Sequence, residues 1–302
     1  MKKKVLITGG TGFVGKNLTH LLVQKGFQVS ILSRSKRKDE PSVSYHLWDV
    51  KNQLIDEEAV LNANYIIHLA GTNIAGKRWT SKRKKEIVDS RVQPVQLIES
   101  VLKKHRKQIE VFVSASGIGI YGAKSGSRIC LETKKAATDF LGTTCVKWEA
   151  AADSLEPFTN RVVKVRTGLV LGENGGFLGK LLPVFKWRLG SAIGSGRQYM
   201  PWIHIDDLCA IYFLALTNDN MNGAYNAAIN DNTNNSVFSK TLAKVLGYSI
   251  WLPNIPSFLI QVVMGEMAAI ILKGRRVSSE KIESLGFQFR FKKLEQALIE
   301  CL

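Results

Sequence analysis

Apolar residues in this chain fall into short continuous runs joined by stretches with helical spacing. The first run, Val5-Leu6-Ile7, reads as a buried strand that ends at Thr8. Gly9, Gly12 and Gly15 follow in G-x-x-G-x-x-G spacing, with Phe13 and Val14 between the last two. Leu18, Leu21 and Leu22 then lie on one face of a helix that runs to Gly26. A strand, a glycine turn and a helix in this order form a diphosphate cradle. The glycines allow a tight turn and close backbone approach, and the helix N-terminus presents unpaired N–H groups and partial positive charge.

Further strand-like runs are 27–32, 44–48, 65–71, 111–116 and 161–167, with helical patterns in between. Such alternation predicts an α/β fold, a Rossmann-type doubly wound parallel sheet with helices on both faces. From Gly172 the texture changes, with glycine-rich segments at 173–176 and 190–196. We therefore expect a dinucleotide-binding domain over residues 1–171, to which the chain returns at about 204–230. A small C-terminal substrate lobe would take 172–203 and 231–302.

Ligands of open parallel sheets sit beyond the C-terminal strand ends. The residues there are Ser33-Arg34, Asp49, Ala70-Gly71, Ser114 to Tyr121, and Thr167-Gly168. The end of the second strand selects the cofactor. An NAD site usually places a carboxylate there for the ribose 2′-hydroxyl. This chain has Arg34, while Asp39 and Glu40 come too late. A guanidinium suits a 2′-phosphate, which favours NADP (NADPH) over NAD.

Charge adds a second feature. Lys and Arg number 42 against 25 Asp and Glu, giving a net charge of +17 and a pI near 9.7. The basic clusters at 82–85, 103–107, 275–276 and 292–293 are dispersed and carry little aromatic interleaving. Solvated helix faces explain them better than nucleic-acid binding. The longest apolar stretch, Phe258 to Leu272, is broken by Gln261, Gly265 and Glu266, so no membrane span is expected. Met1-Lys2-Lys3-Lys4 resembles the start of a signal peptide, but the apolar stretch after it is too short for one. Four scattered cysteines without C-x-x-C fit reduced thiols in a cytoplasmic protein and no metal site. Oligomerisation is left open.

Beyond the glycine turn, Leu69-Ala70-Gly71, Arg78-Trp79-Thr80, Ser90-Arg91-Val92, Ser114-Ala115-Ser116 and Tyr121-Gly122 stand in a distinctive order. Trp148-Glu149, 166–172, 202–207, Met264-Gly265-Glu266 and 286–289 continue it. In these motifs the whole chain resembles the extended short-chain dehydrogenases of the NAD(P)-dependent epimerase/dehydratase superfamily. More narrowly, it is similar to an epimerase-like subfamily often described as sugar-nucleotide epimerases or cell-division inhibitors. The resemblance implies an NADP site that also draws on Leu69, Arg91, Ser114 and Arg166. It also implies a substrate pocket bordered by Gln198, Trp202 and His204.

Such dehydrogenases pair a Ser or Thr with a Tyr and a Lys four residues after it. Ser116 fits the first position, but Cys145 and Glu149 stand where Tyr and Lys would be. A carboxylate beside Cys145 would raise the thiol pKa and leave it neutral. Tyr121 is then the remaining candidate acid, with Arg166 or Arg91 to steady its phenolate. Two functions follow. One is an NADP-dependent oxidoreductase or epimerase acting on a small polar molecule. The other is an NADP-binding regulator without turnover.

Overall fold

A computed structural model describes residues 3–123, 126–173 and 175–302. Met1 and Lys2 of the basic start and Asn174 of the first glycine-rich segment lie outside the described residues. The strands are β1 (Lys4–Thr8), β2 (Gln28–Ser33), β3 (Val43–Asp49), β4 (Leu54–Ile55), β5 (Tyr65–His68) and β6 (Val111–Gly117). After them come β7 (Gly126–Cys130), β8 (Val162–Thr167), β9 (Leu169–Leu171), β10 (Trp202–His204), β11 (Gly223–Ala227) and β12 (Arg275–Val277). Eight form one sheet in the order β11-β8-β6-β5-β1-β2-β3-β4, parallel throughout except for β4 at the edge. The chain winds outward in both directions from β1. The strand order therefore reverses between β1 and β5, where Thr8 lies in register with His68.

Period-two alternation assigns the faces of the sheet. Val5, Ile7, Ile67, Val111 and Val113 join one buried cluster, while Leu6, Ile66 and Phe112 join the other. Helices α1 (Phe13–Gln24) and α6 (Ile205–Thr217) cover the first face. The second face takes α2 (Glu57–Leu61), α3 (Ser81–His105) and α4 (Phe140–Asp153). Two small strand pairs, β9 with β10 and β7 with β12, form the frame beside the C-terminal ends of β6 and β8. Around it lie α5 (Leu178–Lys186), α7 (Asn235–Val245) and α8 (Ser257–Met264). One apolar cluster runs from Val5 through Leu208 to Phe238 and Leu298, so the C-terminal segments pack on the same core as α6.

The run read as a strand from Tyr65 to Gly71 leaves the sheet after His68, and residues 69–71 turn across the end of β1. The expected return to the sheet is made by α6 and β11. The β7–β12 pair was not foreseen, because its strands lie far apart in the chain.

Candidate functional site

The glycine turn is built from backbone. Gly9 has φ +72°, in the left-handed region, and a Cβ there would lie 2.8 Å from the Leu69 carbonyl and the Ala70 nitrogen. A Cβ at Gly15 would lie 2.4 Å from the Gly9 oxygen and 2.5 Å from the Gly10 Cα, so this glycine lets α1 approach β1. Gly12 is the N-cap of α1, which has no side-chain cap and no acidic residue in its first turn. The N–H groups of Phe13, Val14 and Gly15 therefore point outward without intrahelical acceptors. The Phe13 ring packs against the backbone at Gly172 and Gly175, tying the cradle to the loop after β9.

A buried relay crosses the strand ends beneath the cradle. The Ala70 N–H donates to Thr8 Oγ1 at 3.2 Å, and Thr8 Oγ1 lies 2.8 Å from His68 Nδ1. His68 Nε2 lies 3.0 Å from the Arg91 carbonyl oxygen. A carbonyl only accepts, so Nε2 carries the proton, and the Thr8 hydroxyl donates to the bare Nδ1. His68 is fully buried, and burial pushes its pKa down to about 4. The folded protein holds this ring neutral while the unfolded chain protonates it near the ordinary 6.5. The stabilisation is complete above pH 6.5, falls as the pH drops towards 4, and is constant below. It amounts to about 3 kcal/mol. His68→Gln is expected to flatten this acid limb relative to the unmodified chain when urea midpoints are measured from pH 4 to 7. Parallel limbs in the two proteins would reject the assignment.

At the end of β2, Arg34 is exposed and has no ion-pair partner among the described residues. The buried Ser33 hydroxyl donates to the Ser35 carbonyl at 2.9 Å. Asp49 accepts from the Asn52 side chain and from the Lys51 and Asn52 N–H groups, which together hold its carboxyl below the usual range. It caps the turn after β3.

Ser116, Tyr121 and Glu149 come together, but as a closed network. Ser116 Oγ donates to Glu149 Oε1 at 2.6 Å. Arg166 grips both oxygens of Glu149, through Nε and Nη2, each at 2.8 Å. Its Nη1 donates to the Tyr121 hydroxyl at 3.1 Å and to the Glu132 carbonyl at 2.9 Å. Tyr121 donates in turn to Asn226 Oδ1 at 2.7 Å. The carboxylate of Glu149 holds the Arg166 pKa above its ordinary value against burial. Burial also outweighs the Arg166 charge at Tyr121 and pushes the phenol up to about 12. The sequence offers Tyr121 as the candidate acid, with Arg166 or Arg91 to steady its phenolate. In the structure Tyr121 is 2 % exposed, and its hydroxyl, bonded to Asn226 and Arg166, is protonated at neutral pH. Ser114 is also buried, with its hydroxyl on the Ala115 carbonyl at 2.9 Å.

Next to this network lies a cavity of about 280 Å³ beyond the C-terminal ends of β6 and β8. Gly117, Thr144, Cys145, Trp148, Thr167 and Gly168 form its floor, and Tyr199 to Pro201 with residues 269–275 form the far wall. Gly168 has no room for a side chain, since a Cβ would lie 2.6 Å from the Pro201 oxygen. Cys145 Sγ faces the Gly117 carbonyl at 3.6 Å. Burial, and then Glu149, push its thiol up to about 12, so it is a neutral S–H. The direction matches the sequence argument, but burial is the larger cause.

Arg91 also lines the cavity. Its Nη1 donates to the Ile87 carbonyl at 2.8 Å and Nη2 to the Thr72 carbonyl at 3.2 Å. The guanidinium lies 4.8 Å over the Trp148 ring, and no carboxylate pairs with it among the described residues. Burial lowers its pKa to about 10, which leaves it cationic at neutral pH. The buried Trp148 Nε1 has no acceptor.

Gln198, Trp202 and His204, expected to border the substrate, are buried, and their polar atoms bond within the protein. Gln198 Nε2 donates to the Ile193 and Ile271 carbonyls at 3.0 and 3.1 Å. Trp202 Nε1 donates to Asp231 at 2.9 Å. His204 Nδ1 accepts from the Asp206 N–H at 3.2 Å as the N-cap of α6, and its ring lies 3.9 Å from Phe291. Sequence reasoning missed His68 and Asn226. A histidine inside an otherwise apolar strand beside Thr8 was the available signal for the first, whereas nothing local marked the second.

Among the described residues, no group of His, Cys, Asp or Glu is placed to hold a metal ion, and no helix is long and apolar enough to cross a membrane. The sheet order, the glycine cradle at its switch point and the cavity beside it define a Rossmann-type protein of the extended short-chain dehydrogenase class. The chain belongs to the NAD dependent epimerase/dehydratase family, which matches residues 5–228, and a domain of unknown function (DUF1731) matches 255–301. It is 34 % identical over 300 residues to the human epimerase family protein SDR39U1, covering 98 % of this chain and 99 % of the relative. To the epimerase family protein YfhF of Bacillus subtilis it is 33 % identical, covering 99 % of this chain and 97 % of that one. The crystal structure of human SDR39U1 (isoform 2) with NADPH superposes with a TM-score of 0.85 at 33 % identity, covering 99 % and 98 % of the two chains.

Proposed function

We propose that this protein is an NADP(H)-dependent oxidoreductase or epimerase whose chemistry takes place in the cavity beyond β6 and β8. The observation that carries this reading is the uncapped N-terminus of α1 behind the constrained Gly9 and the open Gly12, with a free Arg34 at the neighbouring strand end. The cradle fits a dinucleotide because Gly12 at the uncapped end of α1 carries no side chain in front of the first-turn N–H groups, while Gly9 and Gly15 keep the turn tight. The solved structure of human SDR39U1, similar along its whole length, holds NADPH. Here the first-turn N–H groups of α1 would hold the diphosphate, with Thr8 and residues 69–71 beside them, and Arg34 would meet the 2′-phosphate. NADPH, when bound, supplies a hydride. Arg91, which lines the cavity without a carboxylate partner among the described residues, is the charged group left to meet a substrate oxygen there. The Arg91 charge would oppose negative charge developing on a substrate oxygen. Ser116, Tyr121, Glu149 and Arg166 would fix the floor of the cavity without moving a proton.

Arg34→Asp tests the cofactor choice. NADPH affinity is expected to fall about tenfold or more, with NADH affinity unchanged or improved, since an Arg–phosphate contact is charge-assisted. Calorimetric titration giving the same NADPH affinity in both proteins would reject the role of Arg34.

A second reading, an NADP-binding regulator without turnover, is supported by the closure of the Ser116–Glu149–Arg166–Tyr121 network where relatives of this class keep proton chemistry. Following NADPH absorbance across a broad panel of carbonyl compounds separates the two readings. Oxidation of NADPH with any of them, or epimerisation of a panel member followed by NMR because it returns the cofactor to its starting state, supports the enzyme, and a panel silent by both readouts supports the regulator.

A further inference from the structure

The cavity contains few groups that could read a sugar. Among the described residues no Asp or Glu lines it. Thr144 Oγ1 already donates to the Phe140 carbonyl at 2.6 Å, and Thr167 Oγ1 to the Val165 carbonyl at 3.2 Å. Asn235 Oδ1 accepts the Ile193 N–H at 2.6 Å, and its Nδ2 faces the Met200 sulfur at 3.4 Å. A sugar ring would bury several hydroxyls against groups whose bonds are taken, and each unpaired hydroxyl costs about 1–3 kcal/mol. Apart from Tyr199, Cys145 and Trp148, the uncharged side chains that remain are apolar, with Ile74, Leu141, Leu169, Phe177, Ile270 and Ile271.

The charges that line the cavity are all positive. Arg91 stands at the inner end, and Lys273 and Arg275 stand on the 269–277 wall. Arg275 Nε is buried without an acceptor, and its guanidinium has no ion pair among the described residues. Three cations without a carboxylate partner among the described residues, on the wall of an otherwise largely apolar cavity, favour an anion. The same chain segment leads back through Gly265–Ala268 to α8, where Phe258, Val262 and Val263 are 60 %, 69 % and 71 % exposed.

We propose that the cavity takes an amphipathic anion, its apolar body between Leu141, Phe177 and Ile270 and its anionic group on Arg275, and not a nucleotide sugar. The small polar substrate expected from the sequence gives way to one that is mostly apolar. The proposal rests on the cavity being the substrate site, as put forward above. Binding can nevertheless be measured without turnover.

Octanoate, octanol and UDP-glucose serve as probes in calorimetric titrations of the full chain saturated with NADPH. Octanoate is expected to bind, octanol about tenfold more weakly for want of the charged contact, and UDP-glucose not measurably. Ile270→Trp should abolish octanoate binding by filling the cavity. Arg275→Gln should weaken octanoate about tenfold and leave octanol unchanged. NADPH affinity, measured in the same variants, should stay within a few-fold and shows that they are folded. Octanoate binding that persists in Ile270→Trp means adsorption elsewhere, on α8 for example, and overturns the proposal, as does tight UDP-glucose binding. Loss of NADPH binding by the unmodified protein would instead overturn the cofactor reading, because octanoate is titrated separately without NADPH as well.

Discussion

Gly12→Val is expected to remove NADPH binding while the protein remains folded. A Cβ at Gly12 meets only the Gly9 oxygen, at 3.3 Å, so the turn itself accommodates a small branch. Gly15 differs, since a Cβ there would sit 2.4 Å from the Gly9 oxygen and push α1 away from β1. The two glycines therefore separate ligand approach from folding. Gly12 caps α1 with its backbone alone, and the first-turn N–H groups lie directly after it. A β-branched side chain at that position crowds the space where phosphate oxygens must come within about 2.9 Å of those donors. Loss of two or more such charge-assisted contacts reduces affinity by roughly 100-fold, about 2.7 kcal/mol. Calorimetry measures the loss, and an unchanged circular dichroism spectrum with a urea midpoint near that of the parent shows that the fold is kept. Parental affinity in Gly12→Val would mean that the cradle is not the diphosphate site.

The cradle was legible in the sequence because its determinants are local. Strand, turn and helix follow one another within the first 24 residues, and each glycine's constraint comes from a neighbour in the same unit or from the adjoining strand. Arg34 was legible for the same reason, as its position follows from the end of one strand. The floor of the cavity was not. Tyr121 meets Asn226 across 105 residues and Ser116 meets Glu149 across 33, so the direction each side chain takes depends on how β6, β8, β11 and α4 pack. Gln198, Trp202 and His204 carry chemistry in many sites, but here backbone carbonyls, Asp231 and a helix N-terminus claim their polar atoms. Residue type signalled competence, and tertiary packing gave it a structural use. The apolar character of the cavity was hidden for a related reason. Its walls come from 117–119, 141–148, 199–201 and 269–277, segments that no single window of sequence brings together.

Glu149→Leu is expected to destabilise the fold by about 3–5 kcal/mol, the usual cost of leaving a buried charge without its partner. The Glu149 and Arg166 side chains are only 10 % and 8 % exposed, and they meet through two hydrogen bonds of 2.8 Å. Removing the carboxylate leaves the guanidinium with the Tyr121 hydroxyl and the Glu132 carbonyl, neither of which carries a compensating charge. It also leaves the Ser116 hydroxyl without its acceptor. Arg166→Met should destabilise by a similar amount from the other side, stranding Glu149 beside Ser116. The double variant removes both charges and should lie well above the sum of the single losses, with a coupling energy of about 1–3 kcal/mol in its favour. Urea unfolding of the four proteins at neutral pH completes the cycle. A loss below about 1 kcal/mol in Glu149→Leu, or strict additivity in the double variant, would show that water or a neighbouring group screens the pair. Tyr121→Phe gives the complementary test of role. It removes the bond to Asn226 Oδ1 and the one accepted from Arg166 Nη1, and should cost about 1–3 kcal/mol of stability, chiefly for the Asn226 acceptor left buried and unpaired. A proton donor in the reaction would be lost with turnover, whereas a structural tyrosine is lost with stability and leaves the turnover of the folded fraction intact. The burial of the Tyr121 hydroxyl and its two satisfied bonds favour the second outcome.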